Sequence, residues 1–349
     1  MFGTYKKDDV IILLKDISGL MQPLNAEERE QNIQNGVHYS EMLPAEYEPT
    51  KEYLKLYYES VERYSKITAD AIAKVSELIW KDKHGTPVLV SLARAGTSIG
   101  VLIKRYILKK YNVNVPHYTI SIIRGIGIDH NAMEYILQRH RPEDIQFVDG
   151  WVGKGAIQNH LNKEKRNYPD VNMGLAVLSD PAYLSGKCGT HNDFLIASSC
   201  LNATVSGLLS RTVYNKNVIS TKDFHGAVFY DNLLSKDLTY HFIDSVVNEF
   251  SLEELEEVYF PKEKTAQKEI EDICNEFGIT DINLVKPGIG ETTRVLLRRV
   301  PWKILVHSMD DLEYLSPIYQ LAKEKNIQLI EYPLENYKAC GLIKNLADN

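Results

Sequence analysis

The residues whose types and spacing best suit chemistry lie between Glu143 and Ile157, in EDIQFVDGWVGKGAI. An apolar run containing Ile145, Phe147 and Val148 ends in Asp149 and passes into Gly150, Gly153 and Gly155. Such a run suits a strand buried in a parallel sheet. Asp149 then stands where the strand leaves the core, the edge at which open α/β sheets bind ligands. The glycines let successive amide N–H groups converge on an anion at the start of a helix from Ala156, so the chemistry implied is capture of a phosphate. A plain glycine turn joining strand to helix fits the same residues. No Ser or Thr follows Lys154 and the spacing is not G-x-G-x-x-G, which disfavours P-loop and dinucleotide readings.

A second set surrounds Cys200, with His191, Asp193, Asn202 and His225 near it in the chain. A thiol, an imidazole and an orienting Asp or Asn form the minimal nucleophile set; a buried, apolar Cys in a helix is the plainer alternative. The surrounding stretch from Ser179 to Thr212 is rich in small and polar residues and suits an acceptor pocket. Within it, Asp180 and Asp193 are candidates to hold Mg²⁺ or the acceptor, and Arg211 a structural pair. In HYSEM, His38 to Met42, His38 and Glu41 either close a site or cap a helix.

The elements that must carry these groups follow from periodicity. Lys51 to Trp80 has helical apolar spacing, Thr86 to Leu92 reads as a buried strand, and Ala93 to Ser98 as a loop before a helix from Ile99 to Tyr111. A strand at His117 to Ile123, a loop Arg124 to Asp129, a helix Asn131 to Arg139 and a strand at Leu175 to Leu178 complete the pattern. Strands alternating with helices predict a doubly wound α/β domain over 51–260, preceded by an extension or hood over 1–50 with a short strand at Val10 to Leu14. From Lys262 to the end a second, α/β/α sandwich domain is predicted. Its order is a helix, a strand Ile282 to Val285, the loop PGIGETTRVLLRRV, a strand Ile304 to His307, a helix Leu312 to Lys325, a strand Ile327 to Glu331 and a last helix from Leu334.

A chain of 349 residues, 44% of them hydrophobic, can build both cores. Its formal net charge of -7 argues against a DNA-coating protein. Four scattered cysteines without a C-x-x-C pair support neither a disulfide framework nor a zinc ribbon. The only early apolar run, Val10 to Leu14, is too short to be a secretory or spanning segment, so a soluble, cytoplasmic protein with no membrane partner is expected.

Taken together, SLARAGTSIG at 91–100, SIIRGIGIDHNAMEYI at 121–136 and QFVDGWVGKGA at 146–156 resemble the type I phosphoribosyltransferases over about residues 85–215. The resemblance implies that Arg94 with the amides of Ala95 and Gly96 holds pyrophosphate, that Asp149 contacts the ribose hydroxyls, and that Gly153, Lys154, Gly155 and Ala156 cradle the 5′-phosphate of phosphoribosyl pyrophosphate. It also implies Mg²⁺, with Asp149 as a ligand, and chemistry at the anomeric carbon. Gly150 stands where that family carries a second acid. Residues 265–345 resemble the pelota-type RNA-binding domain through Gly288, Glu291, Thr292, Thr293 and Arg294, which implies RNA contacts by these residues with Lys286, Arg298 and Arg299. Both halves together resemble the phosphoribosyltransferase-like proteins with a C-terminal pelota domain of bacterial tellurite-resistance and stress gene clusters, a family also named cysteine protease StiP. The expected activity is binding of a phosphorylated ribose with action at its anomeric carbon; a cysteine peptidase using Cys200 and a non-catalytic RNA-tethered nucleotide sensor are the alternatives.

Overall fold

The computed structural model describes residues 2–253 and 265–343. Six parallel strands make up most of a seven-stranded sheet: β1 Ile11–Ile12, β2 Val88–Ala93, β3 His117–Ile123, β4 Ile145–Trp151, β5 Leu175–Ser179 and β6 Lys187–Thr190, with the short strand Gly127–Ile128 antiparallel on β3. The central four are near-continuous apolar runs because both faces of the sheet are covered. Their spatial order is β1-β3-β2-β4-β5-β6, and every pair is parallel. From β2 the chain moves to β3 on one side and then to β4 on the other. A crevice therefore opens at the carboxyl ends of β2 and β4, the topological switch point.

Helix α1, Lys51–Asp82, starts at Thr50, whose side chain accepts the Tyr53 N–H, and buries Tyr57, Tyr64, Ile72, Val75 and Ile79 along one face. Helices α2 Ala95–Tyr111, α3 His130–Leu137, α4 Ala156–Glu164 and α5 Thr239–Asn248 follow. The N-terminal fifty residues are woven into this domain. β1 extends the sheet beside β3, Lys15–Asp16 pairs with Gly226–Ala227, and Arg105 grips Asp9 through Nε and Nη2 at 3.0 and 2.8 Å.

The second domain contains α6 Ala266–Glu276, β7 Val285–Pro287, α7 Ile289–Arg298, β8 Pro301–Val306, α8 Leu312–Glu324, β9 Gln328–Glu331 and β10 Ala339–Ile343. Its sheet runs β7-β10-β8-β9, with β8 and β9 parallel and the other pairs antiparallel. Two sequence expectations are corrected here. Most of the stretch predicted as a loop, PGIGETTRVLLRRV, is α7, because Ile289, Val295 and Leu296 fall on one face and are buried. The helix predicted from Leu334 gives way to β10, whose buried Ala339 to Leu342 lie between β7 and β8. A central strand reads as an unbroken apolar run without the alternation that would announce it.

The domains are packed on each other. Tyr53 and Tyr64 of α1 donate their hydroxyls to Leu297 O and Glu313 O. Asp193 accepts the N–H of Ile289 at the start of α7 at 2.9 and 3.1 Å, and that of Lys338 at 2.9 Å.

Candidate active site

Asp149 sits near the carboxyl end of β4, paired with Val177 of β5, and its Oδ1 accepts the Gly150 N–H at 2.8 Å. Burial is the main cause that pushes its pKa up to about 7, although one face of the carboxylate opens on a cleft. Gly96, in the first turn of α2, brings that helix against β4. A Cβ there would lie 2.5 Å from Val148 O and 3.3 Å from Asp149 Oδ1. The partly positive N-terminus of α2 thus faces the Asp149 carboxylate. Gly155 caps α4 at φ +75, the left-handed region that favours glycine, and a Cβ would press on Leu184 at 3.0 Å.

Arg94 precedes α2, and its Nη1 and Nη2 donate to Leu209 O at 3.1 Å and Asn202 Oδ1 at 3.0 Å, with Glu46 at 3.9 Å. Burial lowers its pKa, and Glu46 opposes that effect. The predicted loop Ala93 to Ser98 is mostly helix, since α2 begins at Ala95.

These elements open onto a cleft of about 530 Å³ between the domains. Arg94, Ala95, Asp149, Gly153, Lys154, Gly155 and Ala156 line it from the first domain, and Lys286, Glu291, Arg294 and Arg299 from the second. With Arg124, six cationic side chains face two carboxylates, so the cleft attracts a polyanion. Arg294 holds Glu291 at 3.0 Å and lies over the Trp151 ring, its Cζ 4.8 Å from the centroid. Lys154 reaches across the junction and donates to Ile282 O at 2.6 Å and Val285 O at 3.0 Å. Burial, then the neighbouring Lys286, bring its pKa down to about 8.

Residues assigned to two separate ligands in the sequence therefore meet in one place. Lys286, Glu291 and Arg294, expected on an RNA surface, line the same cleft as Asp149. Gly288 and Thr292 are buried away from any such surface, and the Arg298 side chain lies outside what is described. Gly96 and Gly150, expected to touch substrate, are buried behind the cleft, where they set the approach of α2 to β4. Asp180 and Asp193 do not line the cleft; Asp193 caps α7 across the junction, and Asp180 is wholly buried at the end of β5.

The Cys200 nucleophile set is corrected as well. Cys200 is wholly buried in the apolar core, 3.8 Å from Ser60 Oγ of α1, and His191 stands instead beside Cys188, with Nε2 3.5 Å from Sγ. Burial, then Asp180, push the Cys188 thiol up to about 12.

In HYSEM, His38 caps the turn Tyr39–Glu41, and the Tyr39 hydroxyl accepts the N–H of Arg124 at 2.9 Å. Arg211 fixes that segment through the carbonyls of Tyr39 and Met42. Sequence reasoning passed over Arg124, Trp151 and Asn202 as lining residues. For Arg124 a signal existed, an Arg directly after a parallel strand, as Arg94 lies just after β2. Cys188 was readable only as one member of C-G-T-H, on a four-residue strand too short to register.

The parallel sheet with its switch-point cleft, joined to a second domain with its own sheet, makes the chain a two-domain α/β protein. Residues 3–247 match the family described as "Tellurite-like stress resistance cysteine protease StiP", and residues 264–345 match the "PELOTA RNA binding domain". A protein of Acinetobacter baylyi named "Cysteine protease StiP" is 32% identical over 366 residues, spanning 99% of this chain and 94% of that relative. The chain belongs to the StiP family. Solved structures with weak likeness include a hypoxanthine-guanine phosphoribosyltransferase of Bacillus anthracis, 14% identical over 36% of this chain and 77% of that one, with a TM-score of 0.27. Another is a hypoxanthine phosphoribosyltransferase of Trypanosoma cruzi bound to IMP, 17% identical over 57% and 93%, with a TM-score of 0.28. Likenesses of that size are too distant to assign a fold, which rests here on the strand order. Among the described residues no helix is long and apolar enough to cross a membrane.

Proposed function

We propose that the cleft binds a phosphorylated ribose of the phosphoribosyl pyrophosphate type and acts at its anomeric carbon, within the stress response that the family description names. The carrying observation is the convergence on one cationic cleft of Asp149, the Gly153–Ala156 turn at the start of α4, and Arg94 at the start of α2. The 5′-phosphate fits the α4 N-terminus, where amide groups and the helix dipole favour an anion. Pyrophosphate fits Arg94 and the start of α2, and Asp149 faces the ribose hydroxyls between them. Arg294 and Lys286 then cover the ligand from the second domain and exclude water that would hydrolyse it.

Asp149 also fits magnesium, which characteristically takes one or two protein carboxylates and completes its shell with phosphate oxygens and water. Bound there, magnesium would neutralise charge building on the departing pyrophosphate. A protease reading, which the family description supports, lacks an assembled Cys200–His191 pair. The match to an RNA-binding domain supports a second occupant of the same cations: RNA phosphates would compete with the sugar phosphate for Lys286 and Arg294.

Calorimetric titration of phosphoribosyl pyrophosphate with Mg²⁺ into wild type and Asp149→Ala tests the reading. Binding weakened strongly by the substitution supports it. No heat of binding to wild type up to ~1 mM, the upper end of ordinary enzyme KM values, refutes it. Tight binding with no turnover on any acceptor would mark a sensor.

A further inference from the structure

Asp180, Cys188 and His191 meet at the β5–β6 edge of the sheet, and none of them lines the cleft. Residues 180–186 lead from β5 back to the start of β6 without a helix, and the Asp180 N–H donates to Thr190 O at 2.9 Å, closing the excursion. Cys188 lies on β6 in register with Val177, and His191 follows directly after β6. One donor atom from each of the three lies within 4.8 Å of the others.

The donors are already oriented. His191 Nδ1 donates to the backbone carbonyl of Asp180 at 2.6 Å, and its ring stacks on Tyr183 with centroids 3.7 Å apart and planes 8° apart. That tautomer leaves the Nε2 lone pair bare, the arrangement found behind metal-bound histidines. Nε2 is 3.5 Å from Cys188 Sγ. Ligands at the usual zinc distances, ~2.3 Å to sulfur and ~2.05 Å to nitrogen, sit about 3.6 Å apart at a tetrahedral angle.

Asp180 supplies an independent observation. Its Oδ2 accepts the Ser185 N–H at 2.6 Å, but its Oδ1 is buried with no hydrogen-bond partner. A carboxylate oxygen taken from water without a donor is costly, and a cation makes good the missing partner.

We propose that Cys188 Sγ, His191 Nε2 and the Asp180 carboxylate bind a zinc ion whose fourth position faces solvent on the exposed His191 side. Three protein ligands with one open position is the arrangement of zinc sites that hold a reactive water, and the sulfur and nitrogen donors select zinc over magnesium. On binding, the Cys188 thiol gives its proton to solvent and the sulfur electron pair goes to the metal; nothing is oxidised or reduced.

Anaerobic titration of the metal-stripped full-length protein with Co²⁺ reads this directly. The expected result is one equivalent bound, with a thiolate-to-cobalt charge-transfer band and the intense visible bands of a four-coordinate site, both displaced by Zn²⁺. Cys188→Ser removes the charge-transfer band, His191→Ala weakens zinc binding by at least about tenfold, and Cys274→Ser changes neither. In wild type, where no substitution can disturb folding, Zn²⁺ protects Cys188 from alkylation, as peptide mass spectrometry reads. A charge-transfer band that survives in Cys188→Ser overturns the assignment. So does alkylation of Cys188 unchanged by saturating Zn²⁺, which would leave the Cys188–His191 pair as a thiol–imidazole contact only.

Discussion

Asp149→Asn separates the proposed ligand-binding role of this carboxylate from what its burial costs the fold. In the folded protein its pKa is raised from 3.8 to about 7, chiefly by burial. An unfolded chain therefore ionises this group above pH 3.8, whereas the folded protein does so only near 7. Between those values the folded state holds the extra proton, so stability from this group is greatest at low pH and falls as pH rises, reaching its full cost above 7. At ~1.4 kcal/mol per pH unit the full cost is about 4 kcal/mol. Because the carboxylate opens on the cleft, solvent screening trims this to roughly 2 kcal/mol.

Asn retains the oxygen that accepts the Gly150 N–H and never ionises. The variant is expected to be more stable than wild type by roughly 2 kcal/mol at pH 8 and by less at pH 5, while losing affinity for phosphoribosyl pyrophosphate. Urea denaturation of both proteins at pH 5 and pH 8, followed by fluorescence of the tryptophans, measures the difference. A variant less stable than wild type at pH 8, or a difference that is the same at both pH values, would refute the burial argument.

Two further outcomes are expected. His117 is fully buried between Ser91 Oγ, at 2.7 Å, and Asp9 O, at 2.8 Å, and burial lowers its pKa from 6.5 to about 3. The neutral ring stabilises the fold above pH 6.5, and that contribution is lost at up to roughly 1.4 kcal/mol per pH unit as pH falls towards 3. His117→Asn should flatten the decline in urea midpoint between pH 7 and pH 5, and an unchanged slope counts against it. Asp193→Ala should cost about 1–3 kcal/mol of domain docking, the range for charged hydrogen bonds and caps. Hydrogen exchange at Ile289 and Lys338 should then accelerate, and unaltered protection at both amides would show that Asp193 does not hold the junction.

Much of the first domain was legible because it rests on local periodicity. The α1 stripe, the apolar runs of β2 to β5 and the glycine turn before α4 are all set within a few residues. Elements whose burial depends on distant partners were not legible. β10 is covered by β7 and β8 and shows no alternation, and β6 is a four-residue edge strand. The same reason explains Cys200. Its neighbours in sequence suggested a nucleophile, while its neighbour in space is Ser60, brought from α1.

The cleft itself was hidden for a related reason, and its construction bears on how the two halves work. Asp149 and Arg94 alone make a shallow, partly compensated site at a sheet edge. Arg294, reaching the Ser199 carbonyl and the Trp151 face, and Lys286 bring the excess positive charge. Their position depends on contacts between residues far apart in sequence: Lys154 to Ile282 and Val285, Asp193 to Ile289 and Lys338, and Tyr337 to Gly153 O at 2.9 Å. Two of these contacts grip the glycine turn before α4 itself, through Lys154 and Gly153. Anything that draws the second domain away thus removes cations from the cleft and frees that turn at once, so the proposed ligand binding in the first domain would be coupled to docking of the second.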